Sequence, residues 1–161
     1  MAEIYILLVS QCTHTISLSQ MAIIDKIVEQ FGQKDAYPVS ALLEPSSKLY
    51  CLDYWSLSSE DWLQLNKLLY WSLVGCLLYL AICTYPDISY TVQQLSQYLD
   101  CYSFIYWEAA IRLVCYLKEM WDLKLYLGSD CPFTLHAFSD SDWANCLDTC
   151  SSMGGHMCSL R

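Results

Sequence analysis

No charged side chain interrupts the chain between Lys67 and Asp87. The nineteen residues of Leu68–Pro86 therefore need cover, from protein or from lipid. The run breaks at Thr84-Tyr85-Pro86-Asp87 and resumes with helical spacing at Val92, Leu95 and Leu99. Two helices joined by a short corner are predicted. Pro86 is tolerated in a first turn, where its missing N–H would have no partner. Thr84, three residues before Asp87, predicts a capping arrangement with an acid near the positive end of the second helix. A membrane span needs about 20 apolar residues. Ser72, Gly75, Thr84 and Pro86 interrupt this run, and its apolar part, Leu68–Cys83, falls about one turn short. A buried helix is the expectation, with no membrane partner; an anchor over residues 68–86 is the alternative.

Composition narrows the function classes. At 161 residues and 55% apolar, the chain can bury a sizeable core. Its net charge is −9, and its eight basic residues include only two arginines, Arg112 and Arg161. Phosphate contacts need clustered cations, so strong nucleic-acid binding by this acidic chain alone is not expected. Ten cysteines would suggest disulfides in a secreted chain. The short apolar run Ile4–Val9 has neither a basic flank nor a small-residue cleavage site, however. Reduced thiols and an intracellular location, cytoplasmic or nuclear and not secreted, are the expectation. No Cys-x-x-Cys pair occurs. Cys146, Cys150, His156 and Cys158 match no standard zinc spacing.

Ile4–Val9 and Thr15–Leu18 read as two short strands around a polar turn. Ser19 is placed to cap a following helix, in which Ala22, Ile23, Ile27 and Phe31 form one face and Gly32 the C-cap. Lys34–Leu57, with Pro38 and Pro45, reads as a loop or extended crossing. Helices are predicted near residues 59–65, with Ser58 and Asp61 at capping spacing, and near 67–83, 86–99 and 104–119. Trp107, Ala110, Ile111, Val114 and Leu117 make the inner face of the last. Asp122–Leu127 alternates into a strand. Phe133–Phe138 is another, running into Ser139-Asp140-Ser141-Asp142, with Met153–Leu160 as its antiparallel partner.

Three ordered blocks carry a family resemblance. LVGCLLYLAICTYPDISYTVQQLSQYL resembles the segment between reverse transcriptase and RNase H in copia-type LTR retrotransposon Pol polyproteins. ISLSQMAIIDKIVEQFGQKDAYPVS resembles the end of the polymerase region upstream of it. YWEAAIRLVCYLKEMWDLKLYLG and AFSDSDWANCLDTCSSMGGHM resemble the connection and the start of RNase H. The resemblance covers about residues 14–158 and implies an α+β fold in three parts. Residues 1–50 would be the C-terminal remnant of the reverse transcriptase region, with a strand pair and a helix. Residues 51–129 would be a helical connection, and residues 130–161 the first strands of an incomplete RNase H-like β-sheet.

RNase H-type enzymes hold two Mg2+ ions between carboxylates and cleave the RNA strand of RNA–DNA hybrids. The resemblance implies that Asp140, at the end of FTLHAFSDSD, occupies the first of those catalytic and metal-binding positions. Asp142 belongs to the same motif but is not the assigned ligand. From the residues alone, an Asp/Ser turn at a strand end is the more ordinary reading. The family supplies its other acids from later strands and helices, beyond Arg161, and no Tyr-x-Asp-Asp is present for the polymerase reaction. A hard cation needs several oxygen ligands, so neither reaction, and no cofactor, is expected of this chain alone.

Departures within the matched blocks point the same way. Tyr85, Trp71, Cys115 and Cys150 stand where the resemblance implies arginine, and Tyr106 where it implies histidine. Lost guanidinium groups remove bidentate partners for phosphate or carboxylate. Such exchanges follow mainly from C-to-T or G-to-A changes, which predicts a copy altered by cytosine deamination. His14, His136 and His156 are scattered, without a nucleophile placed beside them. The aromatic residues read as packing rather than base-stacking platforms. The expectation is an inactive fragment of a polyprotein that carries out RNA-directed DNA synthesis and RNase H cleavage. A helical protein-interaction module is the other alternative.

Overall fold

The computed structural model describes residues 5–10, 15–42, 64–65, 67–128, 134–141, 143, 150–152 and 154–160. The fold is α+β. Strands β1 (Tyr5–Ser10) and β2 (Thr15–Ser19) lead into helix α1 (Met21–Gln30). Helix α2 (Tyr70–Cys83), a 3-10 turn (Pro86–Ile88), α3 (Ser89–Ser96) and α4 (Phe104–Glu119) follow. Strand β3 (Leu125–Gly128) and the pair β4 (Leu135–Ser141) and β5 (Gly154–Leu160) complete the order. The helices predicted near 67–83 and 104–119 are present. The one predicted over 86–99 is shorter and begins as a 3-10 turn at Pro86. The helix near 59–65 lies largely outside the described residues, of which 64 and 65 are helical.

The strands form an antiparallel sheet in the order β1-β2-β3 and a separate antiparallel ribbon, β4-β5. Ile16 lies opposite Leu127 and Leu18 opposite Leu125, so β3 returns to the N-terminal strands across more than a hundred residues. The register of β1 slips between Ile6 and Leu8, as a bulge does. Ser17 and Ser19 are the buried side chains of β2, while Ile16 is exposed.

One core joins elements from both halves. Ile24, Ile27 and Val28 of α1 pack with Leu73, Leu77 and Leu80 of α2, Val92 and Leu95 of α3, and Leu113, Val114 and Leu117 of α4. Aromatic side chains fill the wide gaps, as Tyr70 stacks on Tyr102 at 4.5 Å and Tyr98 on Tyr106 at 4.8 Å. Phe31 meets Trp107 edge-on at 6.1 Å.

Two expected caps do not form. Ser19 makes no capping bond to α1, and its hydroxyl, buried in β2, has no hydrogen-bond partner. Thr84 does not cap the turn after it. Its hydroxyl donates to Oε1 of Gln20 at 2.5 Å, tying the end of α2 to the start of α1. The expected Gly32 terminus is present, with φ of +66°, a left-handed conformation that glycine adopts without strain. The Ser58–Asp61 spacing falls outside the described residues.

Candidate active site

Alternating side chains define the surroundings of Asp140. In β4, His136, Phe138 and Asp140 share one face, and Leu135, Ala137, Ser139 and Ser141 the other. Asp140 pairs with Gly155 across the ribbon, and Phe138 pairs with Met157. Gly155 offers no side chain to the carboxylate, and the space above it is open. Asp140 is exposed, and its Oδ1 accepts the N–H of Ser141 at 2.9 Å. The acid is thus turned back onto the N–H of the next residue at the strand end.

The other candidate ligands do not converge on it. His156 lies opposite Ser139, and Cys158 opposite Ala137, both on the face away from Asp140. His136 contacts the hydroxyl of Thr134 at 3.4 Å. Cys150 and Cys158 are exposed free thiols, while Asp142, Cys146 and His14 lie outside the described residues. Among the described residues no three His, Cys, Asp or Glu side chains come close enough to hold a metal ion. A magnesium ion demands near-octahedral oxygen coordination, and a two-metal centre shares bridging carboxylates. Among the described residues, Asp140 is not part of any group that supplies such a donor set.

The positions where the resemblance implies arginine or histidine are mostly absorbed into packing. Tyr85 is buried, and its hydroxyl donates to the carbonyl of Met120 at 2.9 Å and lies 3.5 Å from that of Leu123. Burial, with the nearby charges of Asp87 and Asp122, pushes its phenol up to about 12. Tyr106 is buried against Tyr98. Cys115 is buried, and burial raises its thiol despite Lys118 and Arg112 nearby. Trp71 and Cys150 remain exposed.

Several polar contacts had no signal in the sequence, because their partners lie far apart along it. Lys118 Nζ donates to the carbonyls of Lys34 at 2.6 Å and Ala36 at 2.9 Å, and lies 3.4 Å from that of Gln33. Arg112 Nε donates to the carbonyl of Ala41 at 3.3 Å. Tyr116 donates to Asp87 at 2.7 Å; burial first, then this bond, raises its phenol to about 12. Two of the chain's few cations thus serve its own backbone. Among the described residues, no helix is long and apolar enough to cross a membrane; α2 ends after 14 residues.

Comparison with known proteins gives a consistent set of relatives. The chain is 32% identical over 140 residues to the Retrovirus-related Pol polyprotein from transposon TNT 1-94 of Nicotiana tabacum, covering 87% of this chain and 10% of that protein. It is 40% identical over 88 residues to the Retrovirus-related Pol polyprotein from transposon RE2 of Arabidopsis thaliana, covering 55% of this chain and 6% of that protein. A third relative, the Uncharacterized mitochondrial protein AtMg00240 of Arabidopsis thaliana, is 36% identical over 83 residues, or 52% of this chain and 73% of that protein. The chain thus spans 10% or less of the two polyproteins. No family model and no solved structure matches.

Proposed function

Because the chain belongs to the copia-type retrotransposon Pol family, as a fragment of that polyprotein, we propose that it represents the junction between reverse transcriptase and RNase H and catalyses neither reaction alone. The intact family would copy RNA into DNA and cleave the RNA strand of hybrids with Mg2+. In this chain Asp140 is the vestige of the first RNase H metal position. Its surroundings carry the proposal: an exposed carboxylate bonded to the Ser141 N–H, on a ribbon whose histidines face opposite sides. Among the described residues no three His, Cys, Asp or Glu side chains gather to hold a metal. The absence of Tyr-x-Asp-Asp from the sequence supports the same reading for polymerisation.

Isothermal titration of the purified chain with Mg2+ tests the site directly. Asp140→Asn is expected to leave the binding isotherm unchanged, with no affinity tighter than millimolar. Micromolar binding lost in Asp140→Asn would overturn the proposal.

A further inference from the structure

Residues 33–41 run along α4 without burying a side chain. Tyr37, midway along them, is 91% exposed. Three side chains of α4, spaced one turn apart, hold this segment by polar contacts. At one end Lys118 Nζ donates to the carbonyls of Lys34 and Ala36 and lies 3.4 Å from that of Gln33. At the other, Arg112 Nε donates to the carbonyl of Ala41 at 3.3 Å. Between the two cations, Cys115 Sγ lies 4.0 Å from Oε1 of Gln33. That amide is fixed in turn by Nε2 donating to the carbonyl of Phe31 at 2.9 Å. Cys115 is left 8% exposed. Gly32, with φ of +66° and open space where a Cβ would sit, precedes the segment. Leu42, packed against the core, follows it.

We propose that residues 33–41 form a strap over α4 that opens by itself, between Gly32 and Leu42, and so gates the Cys115 thiol. Segments with little buried apolar area open at a lower free-energy cost than the core around them. The strap meets that condition, because hydrogen bonds from α4 secure it and its own side chains bury little. Helix α4 does not, since Leu113, Val114 and Leu117 sit in the core. Opening therefore uncovers the thiol while the helix that carries it stays folded. In the closed state burial raises the Cys115 thiol, against the pull of Lys118 and Arg112. Lifting the strap relieves the burial and leaves both cations one turn away, which favours the nucleophilic thiolate. Electrophiles that react with thiolates are the ligand class such a gate admits.

Alkylation of the full chain by iodoacetamide, resolved by residue with mass spectrometry, tests the gate. The reaction forms an S–C bond as iodide leaves and the thiol proton passes to solvent. Amide exchange is followed under the same conditions. Cys115 should react about tenfold or more slowly than the exposed Cys158, as opening limits it. Its protection should lie close to that of the Gln33 and Ala36 amides and well below that of the Leu113 and Val114 amides in α4. Lys118→Met keeps the aliphatic stem and removes the ammonium, and should speed alkylation of Cys115 about tenfold while leaving Cys158 unchanged. Lys118→Arg, which restores a cationic donor, should return the rate towards wild type. The proposal is overturned if Cys115 of the wild type reacts as fast as Cys158, or only as fast as opening of the α4 amides allows. An unchanged Cys115 rate in Lys118→Met overturns it as well.

Discussion

At the scale of single residues, hydroxyl groups close the core where the family resemblance implies cations. Tyr85 illustrates the physics, since its buried phenol donates to the carbonyl of Met120 just beyond α4, which also accepts the N–H of Leu123. Tyr85→Phe keeps the ring and removes that donor, so a loss of about 1 kcal/mol in chemical denaturation is expected. The same bond sets an alkaline limit. A phenol raised from 10.0 to about 12 favours the folded state in its neutral form. Its contribution is complete below pH 10, where neither state is ionised, and is lost as the pH rises through about 12. Tyr116 follows the same rule. Stability should therefore hold to about pH 10 and fall towards pH 12, and the fall should be shallower in Tyr85→Phe/Tyr116→Phe. The Gln20–Thr84 bond is a second case. Thr84→Val strands a buried amide oxygen and should cost about 1–3 kcal/mol, and Gln20→Leu/Thr84→Val should recover part of it in a double-mutant cycle.

At the scale of elements, periodicity was readable and partnership was not. The spacing of Ile23 and Ile27 and of Ala110, Val114 and Leu117 marks α1 and α4, but α1 buries Ile24 and Val28 more deeply than Ile23, and α4 buries all of Leu113–Leu117, more than one face. Strands β4 and β5 were legible from alternation, and their pairing from adjacency. The return of β3 to β2 was not, because nothing local in Leu125–Gly128 names a partner more than a hundred residues away. Alternation in β2 separates its two faces but does not say which is inner; there the serines turn in. Thr84 and Asp87 had capping spacing, yet a buried amide competed successfully for the hydroxyl. Asp140 was placed by resemblance, and its bond to the Ser141 N–H came only with the structure. Lys118 adds a polar tie to the packing of α1 on α4, its ammonium gathering carbonyls just beyond α1. Lys118→Met keeps the aliphatic stem and should lower stability by about 1 kcal/mol, with faster amide exchange confined to residues 31–37.

At the scale of the whole molecule, the fold leaves apolar surface that its own elements do not cover. Phe138 and Met157 on one face of the ribbon, and Leu135 and Leu160 on the other, are all exposed. An isolated two-stranded ribbon is marginal in water, and unpaired edges invite association. The isolated chain should form concentration-dependent oligomers in light scattering. In the coding DNA, differences from intact relatives should show an excess of C-to-T and G-to-A changes; an even spectrum would count against deamination. The central proposal is that Asp140, which belongs to no metal-holding group among the described residues, does not assemble a two-metal site in this chain. Cleavage of the RNA strand of a labelled hybrid by the purified chain, titrated with magnesium, tests it most directly. No product above the metal-free blank is expected, for wild type and Asp140→Asn alike. Magnesium-dependent cleavage that Asp140→Asn abolishes would contradict it.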